Sequence, residues 1–347
     1  MVALVAALGA AVILGYSVHR ASICSVRAVA EAMHARTWYI FASIGKTVLW
    51  MLAATLPIFF LVPETVEYLR GWPLTSSAVA GGFAFGLGAG INGACAYSTM
   101  TRMVDGEGRM LVAVVGCSLG IFVFVSLAGA NWIVRPAPAS AGLGLLLNVG
   151  VLVALGPIAW ALYEAIRLWR SRPRDKRLHR LLLAPQYRLS TTALVAGLAS
   201  AAIFLLTGAP GYSTTFQFVI EGALGTKPWP ASGRWLLLLA VLFGMLLSTI
   251  LGGRFRLDWR PRLNWLRNLA GGILMGFGVG LAPGGNDALI LYGIPSLSPH
   301  ALPVYAAMAT GIAAALLLLR ATFGITTRAI VKGDIYMNDL ATVSPKP

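Results

Sequence analysis

The sequence predicts an all-α polytopic membrane protein of about nine transmembrane helices and four short half-helices, organised as two inverted repeats related by a 190-residue shift. Three observations lead there. Of 347 residues, 58% are hydrophobic and only 11% charged, with a mean hydropathy of +0.77, which is the composition of a membrane domain and not of a soluble globule. Apolar runs long enough to cross about 30 Å of hydrocarbon, which takes about 20 helical residues, recur along the whole chain. A glycine pattern near residue 81 returns near residue 271.

In chain order, the runs 1–16, 38–62, 75–91, 109–133, 142–168, 190–207, 234–251, 268–282 and 299–323 read as spans. The first, MVALVAALGAAVILGY, has no charged start and no small-residue cleavage site before His19 and Arg20, so it reads as a retained helix and not a signal peptide. Four segments too short to cross, near 22–34, 93–103, 212–223 and 285–293, read as half-helices dipping into the protein. The chain is one integral membrane domain: repeat 1 over 1–133, a connector helix over 142–168, a basic cytoplasmic loop over 169–190, repeat 2 over 191–323 and a cytoplasmic tail over 324–347.

A net charge of +15 invites a nucleic-acid partner, but topology accounts for the charge and no nucleic-acid role is expected. With nine crossings, alternate loops place 22 of the 27 Lys and Arg residues on one side: Arg20, Arg27, Arg36, Arg102, Arg109, the stretches 167–188 and 254–267, and the four from Arg320 to Lys346. The other side holds Arg70, Arg135, Lys227 and Arg234, with Lys46 left over. The positive-inside rule then puts the C-terminus in the cytoplasm and the N-terminus outside an inner (plasma) membrane. The block RLWRSRPRDKRLHR (167–180) reads as a topology determinant facing anionic lipid, or as a docking surface for an acidic cytoplasmic protein.

Shifting the sequence by 190 residues lays GGFAFGLGAG (81–90) on GGILMGFGVG (271–280), with five of ten positions identical and all five glycine. At 39 glycines in 347 positions, a chance glycine pair falls at roughly one position in eighty. Four crossings per repeat and one connector turn the second repeat upside down relative to the first. Inverted repeats with broken helices place a binding site near the midplane, so the architecture reads as a transporter.

The stretch GAGINGACAYSTM (88–100) is poor material for a lipid-facing helix. Irregular backbone at membrane depth is tolerated where protein or a polar cavity covers it. Half-helix N-termini carry unpaired N–H groups and partial positive charge, so they attract anions. Four such termini are expected: near Ser22 to Cys24, near Ala94 and Cys95, near Ser213 and Thr214, and near Gly285 and Asn286. Two of the three cysteines sit at corresponding termini of repeat 1, and a polarisable thiol there suits a sulfur-bearing anion.

With HRASICSVRA (19–28), INGACAYSTMTRMVDGEGR (91–109) and LAPGGNDALILYGIP (281–295) in a nine-span chain, the sequence resembles the YeeE/YedE family of sulfur transport proteins. The resemblance implies an hourglass-shaped importer of thiosulfate or related compounds, which pass along cysteines at short helices. Cys24 and Cys95 match two of the family's relay cysteines. The third belongs at Gly285, where this chain reads GGND, so an ion arriving from outside meets backbone N–H groups and Asn286 instead. The family also suggests a small cytoplasmic sulfur-carrier protein as partner.

Other readings stand beside these. Cys24 and Cys95 can be buried small hydrophobes, and Cys117, in LVAVVGCSLGIFVF, reads as one. Asn286 and Asp287 read as caps of the last half-helix, DGEGR (105–109) as a capped turn, and Lys46 and Arg20 as side chains snorkelling to the inner interface. Histidines 19, 34, 179 and 300 lack metal-ligand spacing, and neither CxxC nor a nucleotide-binding loop is present, so no cofactor and no enzyme activity are expected. A membrane sulfurtransferase that loads a cysteine with sulfur, and a channel for another small anion, remain as alternatives.

Overall fold

Inside lipid each backbone N–H and C=O needs an internal partner, which restricts an open-ended chain to helices. The computed structural model describes residues 2–62, 70–133, 139–140, 152–171, 184, 186–208, 211–260, 264–327, 329–332 and 334–337. The first half runs α1 (Val2–Ala21), α2 (Ser25–His34), α3 (Tyr39–Leu61), α4 (Ser76–Asn92), α5 (Ala96–Val104) and α6 (Gly108–Gly129). After α7 (Leu152–Arg170) the same order of long and short helices returns as α8 (Leu189–Thr207), α9 (Tyr212–Ala223), α10 (Ser232–Gly252), α11 (Asn264–Leu281), α12 and α13 (Ala301–Phe323). α12 begins as α-helix over Asn286–Ala288 and continues as π-helix over Leu289–Gly293.

Among the described residues, seven helical stretches are long and apolar enough to cross a membrane, or up to eight if the bent pair α11–α12 is one span. The ninth expected span, 142–168, lies partly outside the described residues, and its described part is α7. Each short helix follows a long helix across a break of three or four residues: α1–α2, α4–α5 and α8–α9 make single apolar stretches, and α11–α12 bends by 48°, as a broken span or a re-entrant loop does. Gly93 makes one such break: at φ +75 it turns its N–H back to the carbonyls of Ala89 and Gly90 and stops α4, a conformation glycine adopts without a Cβ penalty.

Packing between the halves is reciprocal. α1 lies against α10 as α8 lies against α3; α6 lies against α11 as α13 lies against α4; and α1–α8 and α4–α11 meet directly. Small residues allow these crossings. A Cβ on Gly86 would fall on the carbonyl of Met308, and one on Gly276 on the carbonyl of Cys117, so Cys117 belongs to a helix crossing. Glu31, fully buried in α2, caps the next helix: its carboxylate accepts from the amides of Tyr39 (3.1 Å) and Ile40 (2.9 Å) and the Thr37 hydroxyl (2.7 Å). The 190-residue shift pairs it with Glu221, equally buried in α9 and bonded to Lys227 at 2.9 Å.

Three expectations change at the end of the bundle where His19 lies. Arg20 is fully buried instead of snorkelling; it donates to the Ala184 carbonyl (2.9 Å) and the Tyr16 hydroxyl (3.2 Å). Lys46 pairs with Glu164 (3.0 Å) and donates to Ser190 (2.9 Å). The tail is not all loop: β3 (Ile330–Lys332) and β4 (Ile335–Met337) form a hairpin whose Asp334 carbonyl accepts from Leu189. A second small pair, β1 (Arg70–Gly71) with β2 (Ala139–Ser140), also departs from a purely helical chain. The turn at 105–107 is as expected, with Glu107 bonded to Arg102 and Arg109 at 2.8 Å each. Most of the basic loop, 172–183 and 185, and the tail beyond 337 lie outside the described residues.

Candidate functional site

The four breaks meet. Cys24 and Cys95 occupy the N-cap positions of α2 and α5, both in extended backbone, both buried and unoxidised. They line one cavity of about 40 Å³ together with Ser25, Thr47, Tyr97 and Asn286, space for roughly two or three waters. Neither sulfur makes a capping hydrogen bond of normal geometry. Backbone N–H groups nevertheless face them: those of Cys95 and Arg27 face Cys24, and those of Ser98 and Ser25 face Cys95. The Arg27 guanidinium adds positive charge beside Cys24 while donating to the Ser22 carbonyl at 3.0 Å. Two polarisable sulfurs and two helix N-termini thus border one space, with the positive charge of Arg27 acting on Cys24 from outside its lining, an arrangement suited to a small anion.

The other two short helices close on each other. Asp287 of α12, fully buried, accepts from the Ser213 amide of α9 at 3.1 Å, and the Ser213 hydroxyl accepts from the Gly285 amide at 2.9 Å. Each helix supplies the partner that the other's first turn lacks. Asn286 caps across as well: its Oδ1 accepts from the Ala96 amide of α5 at 3.3 Å, and its amide nitrogen donates to Ser25 of α2 at 3.4 Å. Asn286 and Asp287 are caps, as their chemistry suggests, but of neighbouring helices. Replacing Asp287 with Ala is expected to cost about 1–3 kcal/mol, since it strands the buried Ser213 amide. Asp287→Asn, whose Oδ1 can still accept, should keep most of it. Melting temperatures of the two purified variants check the difference.

Of the residues expected at the site, Cys24, Cys95 and Asn286 come together on the cavity. Ser22 lies in the α1–α2 break at φ +55, and Ala94 is buried in the α4–α5 break with its carbonyl accepting from Asn92 at 3.0 Å. Thr214 lies inside the first turn of α9, its hydroxyl donating to the Gly211 carbonyl at 2.7 Å. Gly285 is the N-cap of α12, its amide taken by Ser213. Sequence reading passed over Ser25, Tyr97, Tyr212 and Tyr305. Tyr212 donates to the Tyr97 hydroxyl, the two rings meet edge-on at 4.7 Å, and the Tyr305 hydroxyl lies 3.3 Å from that of Ser25. A hydroxylated ring two residues after Cys95 and another just before Ser213 were the available signal.

A family model described as sulphur transport matches residues 20–314, most of the chain and all four breaks. No curated protein matches the chain significantly.

Proposed function

This chain belongs to the YeeE/YedE family of sulphur transport proteins, and on that premise we propose that it carries a small sulfur-containing anion, thiosulfate first, inward across the inner membrane through the Cys24–Cys95 junction. The family and the membrane-spanning helices make it a sulfur-compound transporter. The thiosulfate assignment rests on one observation: two free thiols at the N-cap positions of neighbouring helices line one buried cavity, with the charge of Arg27 acting on Cys24. A hard oxyanion alone would need no sulfur at either terminus; thiosulfate presents a soft terminal sulfur together with oxygens for N–H donors. Substrate contacts are assigned to Cys24, Cys95 and Asn286, with Ser22, Ala94, Thr214 and Gly285 shaping the breaks around them. The reciprocal contacts of the halves support a paired-repeat arrangement, and the uneven distribution of Lys and Arg supports an N-terminus outside and a C-terminus in the cytoplasm.

Uptake of labelled thiosulfate into proteoliposomes tests this. Saturable uptake, competed by unlabelled thiosulfate and far less by phosphate, is expected; absence of uptake by the wild-type protein sinks the assignment. The adjacent thiols also favour a covalent variant, in which a Cys24 or Cys95 thiolate attacks the outer sulfur of thiosulfate and releases sulfite, leaving a persulfide for a cytoplasmic carrier. Mass spectrometry after exposure would then find an addition of about 32 Da, and unmodified protein that still transports removes this variant.

A further inference from the structure

A cavity of about 380 Å³, far roomier than the one between the thiols, lies where α4 and α13 end and α11 begins. Leu318, Leu319 and Phe323 of α13 give it an apolar wall, and Arg267 and Asn264 of α11 stand in its lining. The wall reaches the surface, where Leu318 is 51% and Phe323 64% exposed. The positive charges of Arg109 and Arg102 act on Arg267, and those two share the single carboxylate of Glu107, so this corner carries surplus positive charge. The Nε of Arg267 is shielded from solvent, which leaves its terminal nitrogens to meet a ligand, and the guanidinium has no hydrogen-bond or ion-pair partner among the described residues.

An arginine fork pairs best with a phosphate or a carboxylate. A dissolved anion would gain nothing from the wall of Leu318, Leu319 and Phe323, and an uncharged lipid nothing from Arg267. An amphiphile with a phosphate head and acyl chains uses both, and basic pockets between membrane helices take such heads. We propose that this cavity seats an anionic phospholipid, its phosphate on Arg267 and the start of an acyl chain along Leu318, Leu319 and Phe323. The leaflet follows from the distribution of Lys and Arg, which makes this the cytoplasmic end; the site itself depends on neither the cargo nor the orientation.

Native mass spectrometry of the purified full-length protein tests it, with phosphatidylglycerol and phosphatidylcholine of matched chains offered in equal amounts. Wild-type protein is expected to retain phosphatidylglycerol at least about fivefold over phosphatidylcholine, and Arg267→Gln to lose that preference. Arg267→Lys, which keeps the charge without the fork, should fall between. Arg170→Gln, which removes an exposed charge of α7 outside this lining, should keep the wild-type preference. Inorganic phosphate in excess, a head without chains, should displace little of the lipid. No preference in the wild type, an equal preference in folded Arg267→Gln, the same loss in Arg170→Gln, or full displacement by phosphate overturns the site. Lipid retention is read without cargo, so thiosulfate uptake that fails while the preference persists sinks the transport reading and spares the site; normal uptake with no preference does the reverse.

Discussion

Cys24→Ala and Cys95→Ala are each expected to cut thiosulfate uptake at least about tenfold while leaving the protein folded. The size follows from losing one polarisable contact to a charged ligand in a buried site, worth about 1.5–3 kcal/mol. Folding should survive because neither sulfur caps its helix by a hydrogen bond, so removing it orphans no donor. Because both thiols line one space, the double variant should lose little more than the worse single one, as groups acting together do. Cys117→Ala is the control, since Cys117 lies against α11 and away from this cavity. Uptake unchanged in both site variants would leave the thiols as mere packing.

Gly276→Leu is expected to yield little or no monodisperse protein. At Gly276 a Cβ meets the backbone of Cys117 and Ile121, and a backbone cannot rotate out of the way as a side chain can. Overpacking costs about 1–3 kcal/mol where neighbours can give; here α6 and α11 would have to separate along their contact. Gly86→Leu, which faces Met308 in the equivalent crossing of α4 and α13, should behave alike. Gly9→Leu is the comparison, because nothing lies within 4 Å of a Cβ there. Size-exclusion profiles and melting temperatures of the three variants decide it, and a Gly276→Leu protein that melts like the wild type would refute the interlock.

Helix positions were legible because hydrophobic runs and glycines report local chemistry: the segment expected at 212–223 is α9, Tyr212–Ala223. A rigid shift of 190 was less faithful. Ser25 and Tyr212, the first residues of α2 and α9, lie 187 apart, whereas Ala96 and Asn286, which open α5 and α12, lie 190 apart. Loop lengths differ, and a gapless shift cannot register that. For this reason a gapless shift lays Cys24 on Thr214, whereas the N-cap of α9 is Gly211. Capping chemistry was readable at Asn286, but the capped helix was not, because its partners Ala96 and Ser25 are far off in the chain. Arg20 failed in the same way: a lone arginine at a span end looks solvated until the Ala184 carbonyl comes to it.

The mutual bonding of Ser213, Gly285 and Asp287 has a mechanical consequence. With each of α9 and α12 fastened to the other's first turn, neither can tilt alone without stranding buried donors. Among the described residues, the hydrogen bonds that join α2 and α5 to α12 are the longer ones of Asn286. On the route proposed past the thiols, α9 and α12 would thus move as one piece, and parting α2 or α5 from α12 would break only the longer bonds of Asn286.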